Sequence, residues 1–249
     1  MNLRYLVLCP LSFVLLLAIG CGYKTLIPLS VPKLPDDETN RYVITIEGDT
    51  AGSHVSTLRR RTRHKRAMIE FTAVTHVDVP GKQSHDSTWI MVHAHDFQPV
   101  EAFRQVTKPD GTGGSLVSYQ DGKALVQSGT PLGRRDAELD LGPDVTDNDL
   151  LTALLRAVTI PVGTELQVKL VVAMAATLAD ATITRLEDET VTVPAGTFDC
   201  RRFEVSVAGV SLIIWYEDQG ARRMVRYEAP SAGLVMKLLP ETELPVEQP

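Results

Sequence analysis

Hydrophobic and polar residues alternate along much of the chain, in short segments that end at turn-forming residues. The clearest example is residues 198–207, which stop at Ala208-Gly209. Within this segment the polar Glu204 lies between the apolar Phe203 and Val205. Successive side chains of a β-strand point to opposite faces, so the alternation is typical of a strand with one buried face. Short turns between such segments predict antiparallel hairpins.

The same pattern predicts strands over most of the chain. Turn signals such as Gly48-Asp49 and Pro80-Gly81 separate them. The predicted strands cover residues 42–47, 66–79, 88–95, 114–119, 124–127, 165–174, 181–187, 198–207, 211–216, 222–228 and 233–239. The protein is therefore expected to be mainly β.

One segment has the periodicity of a helix instead. Thr146 followed by Asp149 is an N-terminal capping signal, and Pro161 with Gly163 marks the end. Between them, apolar residues fall on one face of a helix: Leu150, Leu151, Leu154, Leu155 and Val158. We expect one amphipathic helix over about 147–158. It should pack against, or plug, a curved antiparallel sheet or an open or half β-barrel.

The composition is that of an ordinary folded protein. The chain has 249 residues, 44% of them hydrophobic and 22% charged, and a net charge of −6. This argues against disorder as the main state, and the balanced charge argues against binding to nucleic acid. The three cysteines, at positions 9, 21 and 200, cannot build a disulfide framework or a zinc ribbon.

The amino terminus has the layout of a secretory signal. Residues 1–4 carry one positive charge, and residues 5–19 are an uncharged apolar stretch, too short for a comfortable spanning helix. The stretch ends in Leu17-Ala18-Ile19-Gly20-Cys21, which resembles the lipobox of bacterial lipoproteins. The resemblance implies cleavage between Gly20 and Cys21 and attachment of a diacylglycerol to the Cys21 thiol.

Such lipidation would anchor the protein to a membrane without spanning it. Two or three acyl chains, at about 0.8 kcal/mol per buried methylene, hold a protein there essentially permanently. Because Gly22 is not Asp, the resemblance implies the outer membrane, facing the periplasm, if the host has two membranes. The alternatives are an ordinary secretory signal, or a membrane anchor that is never cleaved, in which Cys21 is incidental.

Proline-bearing segments flank the predicted domain. Pro28, Pro32 and Pro35 favour an extended tether between the lipid and the domain. Further prolines near the carboxyl terminus favour a frayed tail. The predicted organisation is a signal peptide at 1–20, a lipidated tether at 21–40, a single β-rich domain at 41–239 and a flexible tail at 240–249.

The C-terminal half carries a more specific pattern. Its main element is Thr190-Val191-Thr192-Val193-Pro194-Ala195-Gly196-Thr197-Phe198-Asp199-Cys200, followed by Trp215-Tyr216 and Val225-Arg226-Tyr227-Glu228. Over about residues 99–239 the chain resembles the periplasmic domain-of-unknown-function family numbered thirty-one zero eight. The resemblance implies a curved antiparallel sheet or open barrel, an unassigned role at the cell envelope, and no catalytic residues.

Parts of this pattern are also interpretable as structure. Pro194 ends strand pairing and Gly196 permits a turn conformation, so the motif predicts a hairpin corner. Trp215 and Tyr216 are adjacent on a strand and should point to opposite faces. We expect one of the two to be buried and the other exposed.

A basic run interrupts the otherwise acidic chain. Its positive charges are Arg59, Arg60, Arg61, Arg63, Lys65 and Arg66. Such a run can bind the phosphates of lipid headgroups, lipopolysaccharide or another anionic polymer of the envelope. A solvated loop, or a charged edge strand that discourages aggregation, would explain the same residues.

Two histidines form a weak candidate metal site. His93 and His95 lie two residues apart on a predicted strand, hence on one face, and can hold a metal if a neighbouring strand supplies a third ligand. The available ligands are His76, Asp78, His85 and Asp86. Solvated surface histidines are the alternative.

No motif indicates an enzyme. The chain has no Gly-x-Ser-x-Gly motif and no Walker or dinucleotide-binding loop. Cys200 is expected to be a small buried residue, and no cofactor is expected. We expect a non-enzymatic envelope lipoprotein whose concave face binds an apolar ligand or an envelope partner protein. The alternatives are a structural or assembly component without a ligand cavity and, with less support, a metal-dependent enzyme that uses His93 and His95.

Overall fold

The computed structural model describes residues 27–131 and 133–241. The signal peptide, the lipobox with Cys21 and most of the predicted tail lie outside these ranges, so the expectations about them stay predictions. Within these ranges, no helix combines the length and the apolar character needed to cross a membrane. Ile27 and Leu34, in the segment predicted as a tether, are buried at 4% and 3% exposure, so this segment packs on the domain.

Strands make up most of the described chain. They are β1 (Asp37–Ile46), β2 (Asp49–Arg63), β3 (Arg66–Val77), β4 (Ser84–His93), β5 (Pro99–Lys108), β6 (Gly111–Gln120), β7 (Lys123–Thr130), β8 (Gly133–Asp140), β9 (Val145–Asp147), β10 (Glu165–Val172), β11 (Thr177–Val193), β12 (Gly196–Val207), β13 (Val210–Glu217), β14 (Met224–Ala229) and β15 (Leu234–Leu238). The helical elements are α1 (Leu151–Leu154) and 3₁₀ turns at Ala173–Ala175 and Pro230–Ala232.

The fifteen described strands form one sheet. Consecutive strands pair antiparallel from β1 to β8 and again from β10 to β15, and β1 pairs with β15 to join the two meanders. Only β9 pairs in parallel, with β10. Because β8 and β9 are the two ends of the described sheet, it is open and not closed into a barrel. The predicted mainly-β, open antiparallel architecture is confirmed.

Strand β2 shows why the alternation pattern misses part of this sheet. The second half of β2 is the basic run, and β8 is equally polar and exposed. Neither segment has alternating apolar residues, so the sequence pattern does not predict a strand at either place. Backbone pairing with both neighbours defines β2 instead, since Arg59 lies opposite Asp37 on β1 and opposite Glu70 on β3. Past Arg59 the register with β1 ends, and Arg61–Arg63 pair with β3 alone. The basic run is therefore the exposed, projecting end of a strand and the hairpin turn that follows it.

The predicted amphipathic helix is only one turn long. α1 spans Leu151–Leu154, and its N-cap residue, Leu150, makes no side-chain cap. The cap-like contact comes from Asp147, whose carboxylate accepts the N–H of Asp149 at 2.6 Å. The prediction of a helix over 147–158 is thus wrong in extent, although a short helix does lie within it.

Burial explains why the helix stops. Beyond α1, Leu155, Ala157 and Val158 have no exposed surface, whereas an amphipathic helix would keep one face in water. The backbone here turns to pair with the N-terminal segment, where the N–H of Ser30 donates to the C=O of Ala157 at 2.7 Å and Leu29 bridges Val158. Residues 150–158, which we call the plug, are therefore enclosed between the concave face of the sheet and the N-terminal segment.

The C-terminal motif forms the predicted hairpin corner. β11 ends at Val193 and β12 begins at Gly196, whose φ of +136° favours glycine. The tip of this long hairpin reaches beyond its own neighbours, because the N–H of Ala195 donates to the C=O of Leu238 on β15 at 3.1 Å. The hairpin therefore folds back over the outer side of β13 and β14.

This folded hairpin changes the environment of Trp215 and Tyr216. The Tyr216 hydroxyl donates to the C=O of Thr152 in the plug, while the Trp215 indole N–H donates to Glu189 on β11. The two side chains point to opposite faces, as predicted. Both are buried, with 4% of Trp215 and 0% of Tyr216 exposed, so the expectation that one of them is exposed is wrong.

A buried ion pair links the plug to β1. The two Nη atoms of Arg156 donate to the two carboxylate oxygens of Glu38, each at 2.9 Å, and each side chain is only 8% exposed. Arg156 also donates to the C=O of Ala221 at 2.6 Å, and the Asn40 amide donates to Glu38 at 2.6 Å. Bidentate geometry and these added hydrogen bonds offset the cost of removing both charges from water.

We predict that Glu38→Gln lowers the free energy of unfolding by about 3–5 kcal/mol, because it leaves the Arg156 guanidinium buried without its counter-charge. Chemical denaturation followed by circular dichroism measures the change. The matched control is Asp37→Asn, which removes an adjacent carboxylate that pairs with Arg59 at 3.6 Å and is 65% exposed. An exposed pair contributes about 0–1 kcal/mol. If both variants lost the same free energy of unfolding, the buried Arg156–Glu38 ion pair would not have the stabilising role assigned to it.

Candidate ligand-binding cleft

A cleft of about 820 Å³ opens at one end of the sheet. In an antiparallel meander, alternate turns lie at the same end, so the connections that follow β2, β4, β6 and β8 all meet here. The lining comes from Ile27 and Leu29, the β2–β3 hairpin (Arg63, His64, Arg66, Met68), the β4–β5 loop (His93, 96–100), the β6–β7 turn (119–122), the β8–β9 link (141–143, 145, 146) and Leu154 of α1.

The floor of the cleft is apolar. Ile27, Met68, Phe97 and Leu154 are each at most 4% exposed and form it together with half-buried aliphatic residues such as Val100. Phe97 is held in the left-handed region at φ +56°, a conformation that is unfavourable for a bulky residue. Its N–H donates to the C=O of His93 at 3.0 Å, which fixes the loop that carries the ring. This floor suits an aliphatic or aromatic group of a ligand.

The structure divides the basic run into paired and unpaired charges. The paired arginines contact carboxylates at 3.0–3.6 Å: Arg59 with Asp37, Arg60 with Asp36, Arg61 with Glu70 and Arg63 with Glu101. Among the described residues, Lys65 and Arg66 have no ion-pair partner. Of the predicted anion-binding residues, Arg63 and Arg66 line the cleft, and Arg59, Arg60, Arg61 and Lys65 do not. The run is therefore not a single binding surface.

His93 and His95 lie close together, with ring centroids 5.8 Å apart, but β4 ends at His93. His95 instead contacts Asp96, with Nε2 and Oδ2 3.1 Å apart. The suggested third ligands are elsewhere, because His76 and His85 face each other at the opposite end of β3 and β4. Within residues 27–131 and 133–241, no three metal-ligating side chains are clustered.

A buried acidic network lies beneath the cleft and is not apparent from the sequence. The hydroxyl of Tyr119, a cleft residue, donates to Asp147, which has no exposed surface. Nearby, Arg104 donates to Asp149 at 2.9 Å and, with two nitrogens, to Asp86 at 2.5 and 3.1 Å. Burial, reinforced by the Asp149 carboxylate, raises the pKa of Asp147 to about 7. The only sequence signal is the polar stretch before the plug, which suggests a helix cap.

Asp147 makes the stability of the fold depend on pH. Its pKa is raised from 3.8 to about 7 on folding, so between these values the native state binds more protons than the unfolded state. Stability from this group is present at low pH and is lost as the pH rises through that window.

We predict that Asp147→Asn removes this dependence. Relative to wild type, the free energy of unfolding of the variant should rise as the pH increases from about 4 to about 7, and the difference should then level off. Urea denaturation at a series of pH values measures it. Asp110→Asn, at an exposed carboxylate in the turn before β6, is the control and should give a constant difference. A constant difference for Asp147→Asn as well would refute the assignment.

Cys200 lies away from the cleft. It is 1% exposed, and its thiol donates weakly to the C=O of Phe198 at 3.5 Å. Burial raises the pKa of this thiol to about 12. Because the thiolate is the reactive form, Cys200 is a small buried residue and not a nucleophile.

These features define a class of protein, an open antiparallel sheet curved around an internal plug with a cleft at one end. The family model for a protein of unknown function, DUF3108, matches residues 41–238. The chain belongs to this family. The match includes the C-terminal motif and extends to β1, well beyond the segment 99–239 on which the sequence resemblance depends.

Comparison with other proteins adds information on the fold alone. A search of the curated proteins finds no significant relative. A β-barrel-like protein of the domain-of-unknown-function family DUF1849 from Brucella abortus is 11% identical, with a TM-score of 0.54, over 84% of this chain and 98% of that protein. A candidate exported protein with a YmcC-like fold from Bacteroides fragilis is 10% identical, with a TM-score of 0.37, over 86% and 98% of the two chains.

Proposed function

We propose that the protein is a non-enzymatic lipoprotein of the cell envelope whose cleft binds an apolar ligand. The observation that carries this proposal is the cleft of about 820 Å³, with its apolar floor. Its volume lies in the range of about 300–1,000 Å³ that is usual for small-molecule sites. A purely structural component would need no unfilled apolar cleft, so this geometry favours a binding role.

The position of the N-terminal segment supports a location at the membrane surface. Ile27 lines the cleft, and Cys21 lies 27 − 21 = 6 residues before it. Even a fully extended chain of that length spans only about 20 Å. A lipid on Cys21 would therefore keep the cleft near the bilayer, and Gly22 after the cysteine favours the outer membrane of a host with two membranes. An envelope partner protein remains the second candidate occupant.

We predict that the full chain incorporates labelled palmitate in a bacterial host, and that Cys21→Ala abolishes incorporation, because the Cys21 thiol is the proposed attachment point. Fluorography and intact-mass measurement of the purified protein check this. Cys200→Ala is the matched control and should stay labelled, since that thiol is buried. Absence of label from wild type, or equal labelling of wild type and Cys21→Ala, would refute lipidation at Cys21.

We predict that an uncharged long-chain alcohol carrying a photoreactive diazirine crosslinks to cleft residues of the full chain in phosphatidylcholine vesicles. Val100→Trp should reduce this labelling about tenfold, because the indole occupies the apolar floor. Peptide mapping by mass spectrometry measures the yield.

The matched control for this experiment is Val74→Trp. Val74 is 40% exposed on β3 and does not line the cleft, so the same substitution there should leave the labelling unchanged. Labelling that is spread over the surface, or reduced equally by both variants, would contradict a binding role for the cleft.

A further inference from the structure

We propose that the ligand of the cleft is an amphiphile whose anionic headgroup contacts Arg66 and His93 while its acyl chain lies on the apolar floor. This inference rests on the proposed function and assigns the class of ligand to the same cleft. It explains why Arg66, a cation without an ion-pair partner in the described chain, stands beside an apolar floor in the same cleft.

The position of Arg66 is the first support. In the register of β3 and β4, Met68 lies opposite His93, and the N–H of Ala94 donates to the C=O of Ala67 at 3.1 Å. Arg66 is two residues from Met68 and therefore on the same face of β3. Both side chains line the cleft. A cation at this position can pair with a headgroup while the chain of the ligand contacts Met68.

The distribution of carboxylates is the second support. Neither acidic residue of the cleft pairs with Arg66. Asp96 contacts His95 Nε2 at 3.1 Å and accepts the N–H of Gln98 at 3.1 Å, and Asp121 lies exposed on the β6–β7 turn. The run neutralises four of its arginines with nearby carboxylates but leaves Arg66 available where the cleft opens. An anionic group can therefore bind without displacing a protein carboxylate from Arg66.

The hairpin turn that precedes Arg66 is the third support. Its two turn residues, His64 and Lys65, are both left-handed, at φ +50° and +63°. A left-handed conformation is unfavourable for a residue with a β-carbon, and such turns favour Asn-Gly. Three other turns of this sheet place glycine second: Glu47-Gly48, Asp121-Gly122 and Ala208-Gly209. This turn instead carries His64, which lines the cleft, and Lys65, whose positive charge lies next to Arg66 in the chain.

The test uses three photoreactive probes with one alkyl chain and different headgroups: an alkyl phosphate, the uncharged alcohol and an alkylammonium. Each is added at the same mole fraction to phosphatidylcholine vesicles that contain the full chain. We expect the phosphate probe to label the cleft about tenfold more than the alcohol, and the ammonium probe to label it least. Arg66→Gln should bring the phosphate probe to the level of the alcohol without changing labelling by the alcohol.

Two controls are needed. One asks whether the effect of Arg66 is specific to the cleft or common to the basic run, and the other asks whether the cleft binds the whole amphiphile or phosphate alone. Arg59→Gln removes the same charge from the same run but outside the cleft, and it should preserve the preference for the phosphate probe. Millimolar inorganic phosphate should not displace that probe, because it lacks the chain. Equal labelling by all three probes, an equal effect of both arginine variants, or displacement by inorganic phosphate would overturn the inference. Loss of labelling by the alcohol itself would instead refute the proposed function.

Discussion

The plug packs against the concave face of the sheet and holds the core, the ion pair and the cleft in place. A sheet of this width that curves leaves an apolar inner face, and the plug covers it with buried leucine, alanine and valine side chains, while Thr152 stays exposed. Irregular backbone placed there must find partners for its polar groups. Arg201 supplies two of them, since its guanidinium donates to the C=O of Val158 at 3.2 Å and to that of Arg156 at 3.3 Å. The ion pair of Arg156 with Glu38 then ties the plug to β1.

The cleft follows from where the plug is placed. Leu154 of α1 contributes to its floor, and the buried network of Asp147 and Tyr119 holds the chain just before the plug. Between this network and the ring of turns that follow β2, β4, β6 and β8, no segment of the described chain fills the space. The N-terminal segment borders the same space through Ile27. The proposed lipid anchor on Cys21 and the proposed amphiphile site would therefore be close to each other along the chain.

Sequence patterns were informative where a local rule decides the structure. The motif around Pro194 and Gly196 predicts a hairpin corner because proline and glycine restrict the backbone in the same way in any fold. They were misleading where tertiary contacts override the local rule. The plug has helical periodicity, yet Leu155, Ala157 and Val158 are fully buried beyond its first turn, and it keeps only that one helical turn. Alternation predicts that one of Trp215 and Tyr216 is exposed, but both are buried, because the folded β11–β12 hairpin covers Trp215 and its Glu189 accepts the indole N–H.

Local sequence patterns are enough to specify a mainly β domain with antiparallel hairpins, an apolar stretch over residues 5–19 and a charge-rich segment at Arg59–Arg66. These features depend on residues that lie close together in the sequence, so they can be predicted from local sequence patterns. The pairing of Glu38 with Arg156, 118 residues away, and the gathering of Arg66, His93 and Ile27 around one cleft come from the folded sheet. Such contacts depend on how the whole sheet curves and on which turns reach the same end, and no local periodicity specifies that.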